Sequence, residues 1–370
     1  MPTVSITSTG GPLTVAYTIS TPRAASAKSI DRDLPTVVFL HPVWLSHPVF
    51  HHQFADPALR RFNLIGLDLR RHGDSVGNVK DTYSAVEAVD DVVKFMEALR
   101  LPPVHLVGVC MGALIALELA TRWPQRIVSL CLLSTAGLQE PADVAKGREE
   151  IQEYWNVGFG AQPDESALLD CIYGALQLGM NNEASPFVKA ITQITFKAST
   201  RQWFPPHLHA MEIATRKIMT DRPKGLEARL SQIACPVEIL RCSADIAYPR
   251  ELSEEIQTAL RSAGVDARLH DVPGAVRWGH VTHYQVINPM IHDFVVECAT
   301  EKNIPPPPPI TSVLSPFLKV LTGAGFRPVN DDEDDDDDAD STDAGAEMVG
   351  KVVTFKATFN KALSVFSKKR

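Results

Sequence analysis

Short, largely apolar segments alternate with segments of helical apolar spacing along most of this chain. The apolar segments are PTVVFLH (35–41), FNLIGLDL (62–69), VHLVGVC (104–110), RIVSLCLLSTA (126–136), PVEILRCSAD (236–245) and ARLHDVP (267–273). Helical spacing follows at 83–100, 111–124, 250–264 and about 281–299. A strand buried on both faces has no polar alternation, and parallel strands need long crossovers, usually helical. The pattern therefore predicts an α/β fold with a mostly parallel sheet and helices on both faces.

Residues 137–232 interrupt this alternation. Their clearer segments, REEIQEYW, SPFVKAITQITF and LHAMEIATRKIM, have helical character. Ligands bind at the carboxyl ends of the strands in such sheets, so an insertion of this length is best interpreted as a lid over that edge. We expect a core formed by 1–136 and 233–300, with a helical lid at 137–232.

The composition changes after Thr300. IPPPPPI (304–310) is a polyproline spacer, and DDEDDDDDAD (331–340) has no apolar surface to bury, so 301–348 is predicted to be a disordered linker. Residues 349–370 carry six basic groups and an apolar stripe at helical spacing. A basic amphipathic tail of this kind binds an anionic membrane surface or a protein partner. The alternative is that these residues too are disordered.

The net charge of −8 is concentrated in that tail, since 331–347 hold eleven acidic groups and 351–370 six basic ones. Residues 1–330 carry only −3 and have no basic surplus, which argues against nucleic-acid binding. The six cysteines form no CxxC pair and have no metal-ligand spacing. Together with an N-terminus that lacks a signal-peptide pattern, this predicts a cytoplasmic protein.

The segment Gly108-Val109-Cys110-Met111-Gly112 joins a predicted buried strand directly to a predicted helix. This is the context of a nucleophile elbow, a tight turn whose flanking glycines leave room for close backbone approach. The helix N-terminus favours a thiolate at Cys110, although serine is the commoner residue in such a turn. The alternative is a structural cysteine in a coincidental G-x-C-x-G.

Two further residues follow predicted strands in the order that completes a triad. Asp245 comes after VEILRCSA, and His280 comes after the next strand, at the start of the last helix. An imidazole would accept the thiol proton, and a carboxylate would orient the imidazole. Taken singly, Asp245 could be a helix N-cap and His280 a polar loop residue. The order nucleophile, acid, histidine favours a Cys110–His280–Asp245 triad.

These residues make the chain resemble the α/β-hydrolase superfamily, in the AB hydrolase-1-like branch that has a helical cap after the sixth strand of the usual numbering. The likeness covers about Pro35 to Ala299. It is carried by LHPVW (40–44), LDLRRHGDS (67–75), VGVCMG (107–112), SADIAYP (243–249) and WGH (278–280). The resemblance implies an oxyanion hole formed by the amides of Val43 and Met111, with Trp44 as a substitute for Val43.

The chain departs from the superfamily pattern at three positions. Pro42 replaces a glycine in the oxyanion loop, and Arg71 stands where D-x-R-G-x-G-x-S has glycine. Cys110 is the departure that bears on chemistry. Dienelactone hydrolases and polyhydroxyalkanoate synthases also have cysteine in this elbow, so the substitution is compatible with catalysis. The absence of aspartate there argues against epoxide hydrolase and haloalkane dehalogenase chemistry.

Aromatic and histidine residues cluster in the regions that would surround the site. Trp44, Trp155 and Trp203 are candidates for an apolar acyl pocket under the lid, with lid core as the alternative. His47, His51, His52, His207 and His209 lack a recognised metal motif, so we interpret them as neutral surface or pocket-lining residues. No metal and no cofactor is expected.

The sequence predicts a hydrolase that cleaves a carboxylic ester, thioester or lactone of a small molecule through an acyl-enzyme on Cys110. Two alternatives remain open. An acyltransferase would use the same thioester intermediate, and a ligand-binding protein would retain the fold and the lid without the chemistry.

Overall fold

The strands of the described residues form a single sheet in a computed structural model that describes residues 1–160, 162–301 and 303–327. They are β1 (Thr3–Ser8), β2 (Gly11–Ser20), β3 (Thr36–Leu40), β4 (Asn63–Leu67), β5 (Val76–Gly77), β6 (Val104–Val109), β7 (Ile127–Leu133), β8 (Val237–Cys242) and β9 (Ala267–Val272). Their order is β1-β2-β4-β3-β6-β7-β8-β9, and β5 pairs with β2. From β4 to β9 the neighbours are parallel. Every residue of β3, β4 and β6 is buried, as continuous apolar segments require.

Helices connect and flank these strands. They are α1 (Ala85–Ala98), α2 (Met111–Arg122), α3 (Ala142–Gly158), α4 (Glu165–Met180), α5 (Pro186–Gln202), α6 (Arg250–Ser262), α7 (Tyr284–Cys298) and α8 (Leu318–Gly323). Shorter helical turns include His47–Phe50, His51–Phe54, Gly279–Thr282 and a π-helical turn at Glu212–Lys217. The predicted α/β fold with a mostly parallel sheet is confirmed. Among the described residues, no helix combines the length and apolar character needed to cross a bilayer.

Helices α3, α4 and α5 lie between β7 and β8, in the segment predicted to be a lid. They bury a small apolar cluster of their own, which includes Ile151, Trp155, Phe159, Leu168 and Phe196. The end of α5 is tied to the loop after β4. Arg71, which has a φ of +62°, donates a hydrogen bond to Gln202, and Gln202 donates to two backbone carbonyls of that loop. The residue that replaces glycine in this turn therefore joins the lid to the core.

The prediction that all of 301–348 is a disordered linker is wrong for 303–327. Phe317 and Leu321 are buried in the main core, and Ser315 Oγ lies 2.8 Å from His51 Nδ1. The Phe326 ring contacts both His51 and Phe187. The prediction rested on the run of prolines and did not consider the apolar side chains that follow it. Burial of those side chains holds the segment against the core. The acidic run and the basic tail at 349–370 lie outside the described residues.

Replacing Phe317 with alanine should test this packing. The ring is buried against His47 and Phe54, so we expect the free energy of unfolding to fall by about 3–5 kcal/mol. Val320 on the same helix is 38 % exposed, and its change to alanine should cost less than about 0.5 kcal/mol. Urea unfolding of the full chain measures both. Equal, small effects would show that the segment does not contribute to the core.

Candidate active site

Cys110 occupies the turn between β6 and α2, as the elbow motif predicts. Its backbone has φ +54° and ψ −108°, outside the regions that L-residues favour. The neighbouring positions must be glycine because any side chain there would overlap backbone atoms. A Cβ on Gly112 would overlap the carbonyl oxygen of Leu40, and one on Gly108 would overlap that of Gly112. The turn therefore holds Cys110 at the carboxyl end of the sheet in a strained conformation typical of functional sites.

The closest side-chain partner of the Cys110 sulfur is an arginine that the sequence analysis did not select. Arg277 Nη2 donates a hydrogen bond to Cys110 Sγ at 3.3 Å and to the Ser134 carbonyl at 3.2 Å. Arg277 Nη1 donates to Asp245 Oδ2 at 2.8 Å. The Tyr248 ring lies 3.7 Å from the guanidinium carbon. Cys110 and Asp245 are thus brought together through Arg277.

This arrangement favours the ionised thiol. Burial alone would raise the pKa of Cys110, but the positive charges of Arg277 and Arg148 outweigh burial and lower it below its ordinary value. Burial has the opposite outcome at Cys242, where it outweighs the Ser134 hydrogen bond and the weaker influence of Arg277, so that the pKa rises to about 11. Arg277 remains charged, because Cys110 and Asp245 together raise its pKa despite its burial. The pair is a buried contact between the Cys110 sulfur and a charged guanidinium, which favours the thiolate.

The hydrogen-bonded triad predicted through His280 is not formed. Both ring nitrogens of His280 are buried and lack a hydrogen-bond partner within 1–160, 162–301 and 303–327, whereas Asp245 binds Arg277 and the amides of Ala247 and Tyr248. The His280 ring packs near Phe50, and burial, followed by the charge of His52, lowers its pKa to about 3. A neutral imidazole in this apolar position is not oriented by a carboxylate. The predicted triad does not form because Arg277 lies between Asp245 and Cys110.

The predicted oxyanion donors flank the elbow. Met111 begins α2 directly after Cys110. Val43 lies in the turn after β3, and Gly112 packs against Leu40 at the end of that strand. Neither amide donates to another group in the part of the chain described here. Trp44, the substitute donor, has a φ of +68°, a left-handed conformation that follows Pro42. An oxyanion hole requires donors of this kind, and both amides flank Cys110 as predicted.

A small apolar cavity of about 70 Å³ lies beneath the predicted lid. All three predicted tryptophans, Trp44, Trp155 and Trp203, line it, together with Trp278 and side chains of α3, α4 and α5. Trp44 and Trp278 come from the core loops, next in sequence to Val43, the predicted oxyanion donor, and to Arg277. The cavity therefore borders the loops that form the site.

The histidines after β3 are neither surface nor pocket residues. His47 bonds Asp68 at 2.6 Å and Thr18 at 3.0 Å, and His51 contacts Ser315. His52 stacks on Tyr284 with ring centroids 3.8 Å apart. They are packed between the core and the C-terminal segment, whereas His209 in the lid is exposed and pairs with Asp81. The interpretation as surface or lining groups is wrong for His47 and His51, because Phe317, Ser315 and Phe326 cover them, whereas His52 is half-buried against Phe187 and Tyr284.

Sequence reasoning missed Arg277, Arg148 and Tyr248. Arg277 stands between Val276 and Trp278 in a loop of otherwise apolar residues, and a lone charge in such a run was the available signal. Tyr248 lies within SADIAYP, where nothing in the sequence sets it apart. Arg148 lies on the lid helix α3, and its approach to the elbow depends on how the lid docks. No local pattern encodes that contact.

Comparisons with known proteins agree with this fold. Residues 35–159 match the model of a family described as the α/β hydrolase fold. A 2-hydroxymuconate semialdehyde hydrolase from Pseudomonas sp. strain CF600 is 27 % identical over 236 residues, which are 63 % of this chain and 76 % of that protein.

Solved structures give the same result. A thermophilic esterase from Thermogutta terrifontis superposes with a TM-score of 0.63 at 18 % identity, covering 81 % of this chain and all (100 %) of the other. An enol-lactonase from Burkholderia xenovorans LB400 gives a TM-score of 0.56 at 17 % identity, with 80 % and 100 % covered. The matched family model over residues 35–159, the sheet order and the similar solved structures show that this chain has the α/β-hydrolase fold.

Proposed function

We propose that the chain hydrolyses a carboxylic ester, thioester or lactone with the Cys110 thiolate as its nucleophile. The observation that carries the proposal is the Arg277 contact on Cys110 Sγ at the strained elbow. A thiolate that is already ionised needs no base to remove its proton. The similar esterase, enol-lactonase and semialdehyde hydrolase support the reaction class.

In the first step the sulfur attacks the carbonyl carbon and forms a C–S bond. The displaced electron pair moves to the carbonyl oxygen, where the amides of Val43 and Met111 would stabilise the negative charge. When the intermediate collapses, the bond to the leaving group breaks, and the leaving group departs with its electron pair and takes a proton from water. Cys110 then holds the acyl group as a neutral thioester.

In the second step water attacks the thioester carbonyl. The attacking water gives up one proton, which neutralises the hydroxide left by the first step. The C–S bond breaks, the sulfur leaves as the thiolate, and the carboxylic acid releases the second proton to solvent. Asp245 takes no proton in either step, since its role is to position Arg277 through the 2.8 Å ion pair. Arg277 keeps its own proton and supplies charge only.

Leaving groups should matter strongly, because no imidazole of the described residues is hydrogen-bonded to Cys110 Sγ to protonate the departing oxygen. General acid catalysis is worth about 10²–10⁴-fold in rate. We expect kcat/KM to fall steeply with leaving-group pKa across substituted phenyl acetates and ethyl acetate, with the free thiolate of glutathione as the reference reaction. A dependence much shallower than the reference would show that an acid assists.

Trapping the intermediate tests the function itself. Acid quenching during turnover of 4-nitrophenyl acetate should leave an acetyl group on the Cys110 peptide, detected by mass spectrometry, and Cys110→Ala should show neither the adduct nor turnover. Cys298→Ser, a change on α7 away from the elbow, should retain both. Turnover by Cys110→Ala at the wild-type rate would overturn the proposal.

The same geometry favours a second candidate, acyl transfer, through one observation. The described residues place no oriented base at Cys110 to activate water, because His280 has no carboxylate partner. A thioester reacts readily with amines and thiols, which need less activation. Product analysis with added thiol and amine acceptors distinguishes the two, since transfer would give the acyl adduct of the acceptor in place of the free acid.

A further inference from the structure

A buried polar cluster adjoins Cys110 beyond Arg277. On α3, Arg148 Nε donates to Glu140 at 2.7 Å, and its Nη2 donates to the Tyr248 hydroxyl at 3.0 Å. The Tyr248 hydroxyl donates to Glu140 at 2.7 Å, and Arg222 donates to the other oxygen of Glu140 at 2.7 Å. The electrostatic field of both Arg148 and Glu140 reaches the Cys110 sulfur. The cluster and the nucleophile therefore form one electrostatic unit.

The charges of this unit balance only while Cys110 is ionised. Arg148, Arg222 and Arg277 are positive, and Glu140 and Asp245 are negative, so the thiolate supplies the third negative charge. The side chains of Arg148 and Arg277 are each only 1 % exposed, and those of both carboxylates are also buried. An unbalanced charge is costly at such a depth, because water cannot solvate it.

Acylation removes that third negative charge. The thioester is neutral, whereas the three arginines keep their protons, so the acyl-enzyme of a neutral substrate would hold one uncompensated buried positive charge. An acyl group that carries its own negative charge would restore the balance. The unit therefore discriminates between substrates by the charge of the acyl part.

Donors are available for such an anion. Arg148 Nη1 and Arg277 Nε are buried and have no hydrogen-bond partner in the part of the chain that the structure describes. The guanidinium carbon of Arg148 lies 5.8 Å from the centroid of the Trp44 ring, and Trp44 also lines the apolar cavity. Trp44 thus contacts both Arg148 and the apolar cavity.

We propose that the preferred substrate has a carboxylate on its acyl part, which Arg148 binds, while the remainder of the acyl part occupies the apolar cavity. The substrate class is a monoester, monothioester or lactone derived from a dicarboxylic acid. This inference rests on the proposed hydrolase function, but its first test does not need turnover.

Iodoacetate and iodoacetamide alkylate the same sulfur, and only the first adds a carboxylate. In each case the C–S bond forms and iodide leaves, so iodoacetate keeps the charge of the unit constant and iodoacetamide makes it more positive by one. We expect the ratio of the two rates, iodoacetate over iodoacetamide, to be at least about tenfold higher at Cys110 than at glutathione in the same tube, a difference of 1.4 kcal/mol or more. Quantitative mass spectrometry of the Cys110 peptide measures it.

Variants assign the effect to Arg148. Arg148→Met should bring the ratio to within threefold of that of glutathione, and Arg148→Lys, which keeps the charge, should retain most of the preference. Arg201→Met, on the same lid but in an exposed pair with Asp74, should leave the ratio unchanged. A wild-type ratio equal to that of glutathione, or a preference that survives Arg148→Met in the folded protein, would overturn the inference.

Turnover provides the second test. Mono-4-nitrophenyl glutarate should have a kcat/KM at least about tenfold higher than its neutral methyl ester, and Arg148→Met should remove the difference. Equal turnover of the two esters would refute the carboxylate preference and leave the hydrolase proposal standing. Turnover of neither ester, with no acyl adduct on Cys110, would refute the hydrolase proposal, while the alkylation ratio would still report on the anion site.

Discussion

Changing Cys110 to serine should lower kcat/KM by at least about 10³-fold, although serine is the usual nucleophile of this elbow. An arginine stabilises a thiolate, because a thiol already ionises near pH 8–9. A serine hydroxyl is far less acidic and requires a general base that accepts its proton. The described residues place an arginine at that position, and Arg277 cannot accept a proton.

Hydrolysis of 4-nitrophenyl acetate measures this change, with Cys298→Ser as the matched control for a thiol-to-hydroxyl substitution. We expect thermal unfolding of Cys110→Ser to stay close to that of the wild type, since the two side chains are similar in size. If Cys110→Ser kept more than a tenth of the wild-type kcat/KM, a base would have to act on residue 110, and the account of the site would be wrong.

Removing Arg277 should have the second large effect. In Arg277→Met the thiolate loses its 3.3 Å partner, so we expect kcat/KM at pH 7 to fall by about 10²-fold or more. Asp245 would then be buried without its ion-pair partner, at a cost of about 3–5 kcal/mol in the free energy of unfolding. The double variant Arg277→Met/Asp245→Asn removes that unpaired charge. It should recover stability without recovering activity.

His280→Ala is the contrasting variant. Because His280 makes no side-chain hydrogen bond to Cys110 or Asp245, we expect kcat/KM to change less than about threefold, with any loss appearing in stability instead. A conventional triad predicts the reverse order, with His280→Ala far more damaging than Arg277→Met. Steady-state kinetics of the two variants, normalised to folded protein by circular dichroism, separates the two accounts.

The elbow could be found from sequence because its physical requirement is local. Gly108 and Gly112 are fixed by backbone atoms within four residues of Cys110 or on the adjoining strand, and the strand and helix on either side have clear periodicity. The order of Cys110, Asp245 and His280 along the chain was correct for the fold. It did not determine which side chain in the loop after β9 would reach the sulfur.

The rest of the site depends on contacts between distant segments. Arg277 and His280 are three residues apart in one loop, and the turn of that loop decides which of them faces Asp245. Arg148 lies on a helix of the predicted lid, and its charge acts on Cys110. Phe317 is buried in the core although it follows a polyproline run that predicts disorder. Sequence periodicity does not encode such contacts between distant segments, so it could not predict these residues.

The pH dependence of Cys110 alkylation by iodoacetamide tests most directly whether Arg277 keeps this sulfur ionised. The depressed pKa means that the rate should stay high as pH falls below the ordinary thiol range and should decline only below the lowered value. We predict the same low midpoint in wild type and His280→Ala, and a midpoint at or above the ordinary value in Arg277→Met. A wild-type midpoint near pH 8.5, or one that moves only in His280→Ala, would contradict the account.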